Sequence, residues 1–134
     1  PIDPRLITAA SHAAFSRQGL EAVMPGEATD DVLSELAGRH NNWVCMTDGA
    51  KGVRYSSPDG IQHFPAFDVK AVDTLGAGDI WHGAFALALG EGMTADDAVR
   101  FASAAAALKC TRPGGRSGAP DRAEVTKYLK ENPL

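Results

Sequence analysis

Between positions 73 and 79 the chain reads Asp-Thr-Leu-Gly-Ala-Gly-Asp, and the apolar, helix-like run Ile80-Trp81-His82-Gly83-Ala84-Phe85 follows at once. Glycines let backbone N–H groups turn inward and come close to a ligand. A helix opening at the same place adds amides without acceptors and the positive end of its dipole. Gly76, Ala77 and Gly78 are therefore a candidate cradle for a phosphate, or for negative charge that develops during a reaction. Asp79, in the first helical turn, sits beside that anion. A carboxylate there can take the proton of a hydroxyl that attacks phosphorus. The bland alternative is a strand-to-helix turn with an aspartate at the helix start, and a short Gly-x-Gly alone does not separate the two.

Little else in the chain offers chemistry of its own. Cys45 and Cys110 stand apart in apolar contexts, as buried reduced thiols would, which suits a cytoplasmic protein. The four histidines show no ligand spacing with each other or with the cysteines, so no zinc site is expected. Trp43 and Trp81 read as packed residues, His82 as a packed or exposed helix residue, and Arg112 and Arg116 as solvated loop charges. A net charge of −4 without a Lys/Arg cluster argues against nucleic acid as a partner. No apolar run approaches the ~20 residues of a membrane span.

The elements that must position the glycine loop can be read from pattern. The 134 residues, 44% hydrophobic and 22% charged, suffice for one domain with one core. Residues 6–9 read as a short buried strand after Asp3-Pro4, and residues 12–23 carry a weak helical pattern. Thr29 is placed to cap a helix that presents Val32, Leu33, Leu36 and Ala37. The unbroken apolar run 43–47 suits a strand covered on both faces, as in a parallel sheet. Residues 53–57 and 61–67 flank Pro58-Asp59-Gly60 and read as a hairpin. Residues 69–72 read as another short strand. A helix to about residue 89 follows the loop, ended by glycine. Thr94 and Asp97 open the next helix, whose small face is Ala98, Ala102, Ala105 and Ala106. Asp121 and Glu124 form a capping box for a last helix. The order is α/β.

The segment 73–79 resembles the C-terminal signature of the ribokinase-like, PfkB-type carbohydrate kinases. Thr47-Asp48-Gly49-Ala50-Lys51-Gly52 is similar to that family's Thr-x-Gly-x-x-Gly turn, and residues 104–120 resemble its late helix and loop. The likeness runs in order from about residue 6 to 129. It implies the C-terminal, nucleotide-binding portion (residues 1–134) of a three-layer α/β sandwich with a mainly parallel sheet and a β-hairpin. It implies ATP-dependent phosphorylation of a sugar or sugar-derived alcohol. Asp79 would be the general base and the amides of Gly76, Ala77 and Gly78 the anion hole. Thr47, Gly49, Gly52, Thr74, Ala106 and Gly114 would line the nucleotide. ATP and Mg²⁺ would be the cofactors, with K⁺ a further candidate held by Asp73 and carbonyls of the 112–118 loop. Lys51 reads as a solvated turn charge.

Two departures from the family pattern stand out. The stretch after the first expected strand, Ser11-His12-Ala13-Ala14-Phe15, has neither residue of the family's Asn-x-x-Glu motif, which is tied to magnesium and phosphate. Glu21 and Glu27 lie further along than that placement allows. The family's N-terminal portion, with most sugar contacts and the lid, has no counterpart here. The chain thus reads as part of a longer protein, and a preceding segment or a second copy in a homodimer is expected to cover an open sheet edge. Two other functions fit the same residues: a non-catalytic nucleotide-binding or interaction fragment, and a nucleoside or pyrimidine kinase of the same superfamily.

Overall fold

In a computed structural model, which describes residues 3–133, the chain divides into two compact units, residues 1–65 and 66–134. In the first unit, helix α1 (Pro4–Ala9) replaces the strand expected at residues 6–9. Asp3 accepts a hydrogen bond from the Arg5 amide and Pro4 takes the first turn, so Asp3-Pro4 is a helix start rather than a plain turn. Only one face is covered: Ile7 is buried while Leu6 is 66% exposed. The strand lies further on, as β1 (His12–Ser16), with Ala13 and Phe15 buried in alternation. Helix α2 (Arg17–Val23) follows directly, capped by the Ser16 hydroxyl, which accepts from the Gly19 amide. The weak helical pattern of residues 12–23 therefore joins a strand to a helix. Helix α3 (Thr29–His40) begins one residue earlier than expected. Ala28 is its cap position and Thr29 its first residue, with no side-chain cap, while Asp30 and Asp31 face the positive dipole end.

Strand β2 (Trp43–Thr47) is buried at Val44, Cys45 and Met46, as an unbroken apolar run requires. It pairs parallel with β1, His12 opposite Trp43 through Ser16 opposite Thr47. The hairpin forms, with its second strand ending at Phe64 rather than at residue 67. Strands β3 (Val53–Ser57) and β4 (Gly60–Phe64) close around Pro58-Asp59, and β3 runs antiparallel to β2. The sheet order is β1-β2-β3-β4, a mixed sheet with one parallel and two antiparallel pairings, and β1 is one of its edges. Leu33, Leu36, Val44 and Met46 close the core of this unit, each at most 2% exposed.

In the second unit residues 69–72 form no strand. The amides of Val72 and Asp73 both donate to the carbonyl of Cys110, at 2.7 and 3.1 Å, so a helix end takes the bonds a neighbouring strand would have taken. Helix α4 (Ala77–Gly90) and helix α5 (Ala95–Cys110) pack through small residues; Ala88, Ala98 and Ala102 are fully buried. Thr94 caps α5, its hydroxyl accepting from the Asp97 amide at 3.1 Å. Trp81 stacks on Phe85 at 5.0 Å and donates its indole N–H to the Ser103 hydroxyl, so it is a core residue. Helix α6 (Arg122–Glu131) opens with the expected Asp121–Glu124 capping box. Among the described residues no helix is long and apolar enough to cross a membrane.

Candidate functional site

The loop before α4 is built from two bonds of Asp73. Its Oδ1 accepts from the Leu75 amide at 2.8 Å, an Asx turn that bends the chain toward the helix. Its Oδ2 accepts from the Gly114 amide at 2.9 Å, which ties this loop to residues 112–118. These amide donors, with the Lys109 ammonium near by, hold the Asp73 carboxyl below the usual aspartate range. Gly76 is the cap residue of α4, at φ 75° and ψ 5°, a left-handed conformation that side chains with a Cβ resist. A Cβ there would also come within 3.7 Å of the Gly115 backbone, so the two loops pack backbone to backbone.

No side chain caps α4. The Ala77 amide donates to the Thr74 carbonyl at 3.1 Å and so closes the turn. The next two amides, of Gly78 and Asp79, have no intrahelical acceptor and point out of the helix start. Gly78 and Asp79 are both exposed, and the Asp79 carboxylate bonds to no described residue. His82, one turn on, lies with Nδ1 2.7 Å from the Gly78 carbonyl; a carbonyl only accepts, so Nδ1 carries the proton. Asp73, Thr74, Gly76, Gly78, Asp79 and Gly114 thus belong to one pair of joined loops. Ala106 lies on α5, half-buried, in the same unit.

Sequence reasoning passed over Lys109. Its side chain is fully buried, with Nζ 2.7 Å from the Asp73 carbonyl oxygen and 3.6 Å from Asp73 Oδ2. Its place on α5 carried the missed signal: positions 98, 102, 105 and 109 follow helical spacing, and all four are buried. Arg112, read as a solvated charge, is paired with Glu124 at 2.6 Å.

In the first unit, Thr47, Gly49 and Gly52 lie on one tight turn. The Asp48 amide donates to the Gly52 carbonyl at 2.9 Å, and the Gly52 amide donates to Gly49 at 3.1 Å. Gly52 needs its φ of 87° to leave the 3₁₀ turn Gly49–Lys51 and enter β3. Arg17 holds Asp48 through both carboxylate oxygens, and this guanidinium keeps the carboxyl below the ordinary aspartate range. A depressed folded value stabilises at and above the unfolded value of ~3.9 and is lost as pH falls below it. Acid unfolding of the chain should therefore steepen below pH ~4, and Asp48→Asn should flatten that limb; urea midpoints at stepped pH check it.

The segment after β1 also differs from expectation. Because the strand is His12–Ser16, the residues that follow it are those of α2, not Ser11 to Phe15. Gln18-Gly19-Leu20-Glu21 stands there with Asn-x-x-Glu spacing, glutamine in place of asparagine. Glu21 Oε1 accepts from the Gly26 amide at 2.9 Å and lines a small surface hollow with Arg17, Glu27 and Thr29. Among the described residues no three His, Cys, Asp or Glu side chains converge to hold a metal ion.

Comparison with known proteins bears on the whole arrangement. The model of the pfkB family of carbohydrate kinases matches residues 4–122. The ribokinase of Bacillus subtilis is 41% identical over 97 residues, which are 72% of this chain and 33% of that protein. The crystal structure of a ribokinase from Thermotoga maritima superposes with a TM-score of 0.88 at 36% identity, over 96% of this chain and 45% of that one. The Arabidopsis thaliana ribokinase, solved with ribose and ATP, superposes at 0.82 and 29% identity, over 97% of this chain and 44% of that one. The fold is therefore the ribokinase-like α/β fold. The chain spans about a third of the length of the curated relatives it matches, such as 33% of the Lactococcus lactis ribokinase.

Proposed function

We propose that this chain, which belongs to the pfkB family of carbohydrate kinases, is the nucleotide-binding portion of an ATP-dependent sugar kinase. The observation that carries the reading is the start of α4: an uncapped helix N-terminus, entered through a left-handed Gly76, with an unbonded carboxylate in its first turn. Asp79 takes the proton of a sugar hydroxyl as that oxygen attacks the γ-phosphorus. The Gly76–Gly78 backbone, through the Gly78 amide and its neighbour on Asp79, meets the negative charge of the transferring group. Because those amides are fixed by the helix, no dipole has to reorient as charge builds.

Thr47, Gly49 and Gly52 on their turn, and Thr74, Ala106 and Gly114, are the residues assigned to the nucleotide. Asp73 is a positioning residue, since its carboxylate bends the loop and joins it to residues 112–118. Magnesium arriving with ATP offsets phosphate charge. Such an ion takes one or two carboxylates and keeps waters and phosphate oxygens as its other ligands. The outer edge of β1 is assigned to a preceding segment or to a second copy.

Sugar-dependent ADP release from ATP and Mg²⁺, across ketoses, aldoses and sugar acids, tests the reading. Release with one sugar class is the expected result and names the substrate. ATP binding with no release for any sugar in the protein that carries this chain would favour a nucleotide-binding module without catalysis.

A further inference from the structure

Asp73 was assigned above, by family resemblance, as the anchor of a monovalent cation, but a side chain already stands there. The Lys109 ammonium lies 2.7 Å from the Asp73 carbonyl oxygen and 3.6 Å from Oδ2, and none of its side chain reaches solvent. Each Asp73 carboxylate oxygen also accepts an amide already, that of Leu75 on Oδ1 and that of Gly114 on Oδ2. The lysine stem is packed in place: a Cβ on Gly118 would meet Lys109 Cε at 3.5 Å and the Pro113 carbonyl at 3.2 Å. An added cation at Asp73 would meet the like charge of Lys109 at close range. The Asp73 oxygens that would ligate it are turned toward N–H donors.

We infer that the Lys109 ammonium is the resident monovalent cation of this loop junction, and that the chain takes up no K⁺ at Asp73. An ammonium matches K⁺ in charge and nearly in size. Carried on α5, it cannot dissociate, so the loop that opens α4 stays bound to the 112–118 loop whatever the salt. A buried ammonium needs its partners, which explains why a carbonyl and a carboxylate of one residue both face it.

The inference rests on reading Asp73 as the place where a cation would sit, but its test needs no turnover. Thermal midpoints of the chain are measured in KCl, NaCl and choline chloride at equal ionic strength. Wild-type midpoints should agree within about 1 °C. Lys109→Met, close to lysine in length and uncharged, should melt lower by about 5 °C or more, because the Asp73 carboxylate loses its cation. K⁺ or methylammonium should return part of that loss, and choline, too large for the space, should not. A saturable rise of the wild-type midpoint with K⁺ over choline would overturn the inference. So would a Lys109→Met chain with an unchanged midpoint and no response to any cation. Should that variant not fold, thallium(I) titration of the wild type followed by ²⁰⁵Tl NMR decides, since a bound ion at Asp73 is what the inference forbids. Failure of the kinase reading would show as absent ADP release with these midpoints unaffected.

Discussion

Asp79→Asn is expected to lower sugar-dependent ADP formation by at least ~10²-fold while nucleotide affinity stays within about twofold. The argument rests on what Asp79 does not do in the fold. Its side chain bonds to no described residue, is exposed, and does not cap α4. Asparagine has the same size and also tolerates a helix start. The substitution thus leaves the loop, the Asp73 bonds and the α4–α5 packing as they are, and removes only the group that can accept a proton. A loss in kcat with an unchanged melting midpoint assigns the effect to chemistry. Turnover within a few-fold of wild type would remove Asp79 as the base, and the reaction would then need another acceptor near the Gly78 amide. His82 is the neighbouring group with a free acceptor, since its Nδ1 proton is held on the Gly78 carbonyl and its Nε2 then carries the lone pair.

How much of this was legible beforehand depended on whether the signal was local. The glycine loop, the Pro58-Asp59 hairpin and the Asp121–Glu124 box are determined by neighbours in sequence, and each forms where its residues place it. Residues 6–9 and 12–16 illustrate the opposite case. Both are short apolar runs, which periodicity cannot assign to strand or helix. Asp3 as a cap and Pro4 in the first turn settle the first as helix, and pairing with β2 settles the second as strand. Residues 69–72 have strand character, yet they form no strand, and the Cys110 carbonyl at the end of α5 takes the amides of Val72 and Asp73. Lys109 is the case that sequence most disguises. A lysine in the last turn of a helix is the ordinary partner of the dipole and is usually solvated. Only its place on the stripe 98, 102, 105, 109 marks it as buried. What it binds depends on the return of residues 73 and 112–118 to the same helix end.

Gly78→Ala should separate the fold's need for glycine from the ligand's. At Gly76 the need is conformational: φ is 75°, and alanine there should cost ~1–2 kcal/mol of stability. At Gly78 no such need exists. Its φ is not positive, it lies inside α4, and a Cβ there would meet nothing within 4 Å. Alanine is the better helix former, and it also restricts the unfolded chain. The variant should gain ~0.4–1 kcal/mol of stability. If the Gly78 amide meets a phosphate, the same methyl group stands where the anion must approach. Turnover should then fall by about 10²-fold, the usual cost of one lost donor to a developing charge. A more stable and less active protein is the expected pair of results, read from a urea midpoint and an ADP assay on one sample. Full activity would mean that no anion approaches the helix start at this residue. Reduced stability would mean that Gly78 serves the fold, and the glycine would then say nothing about phosphate.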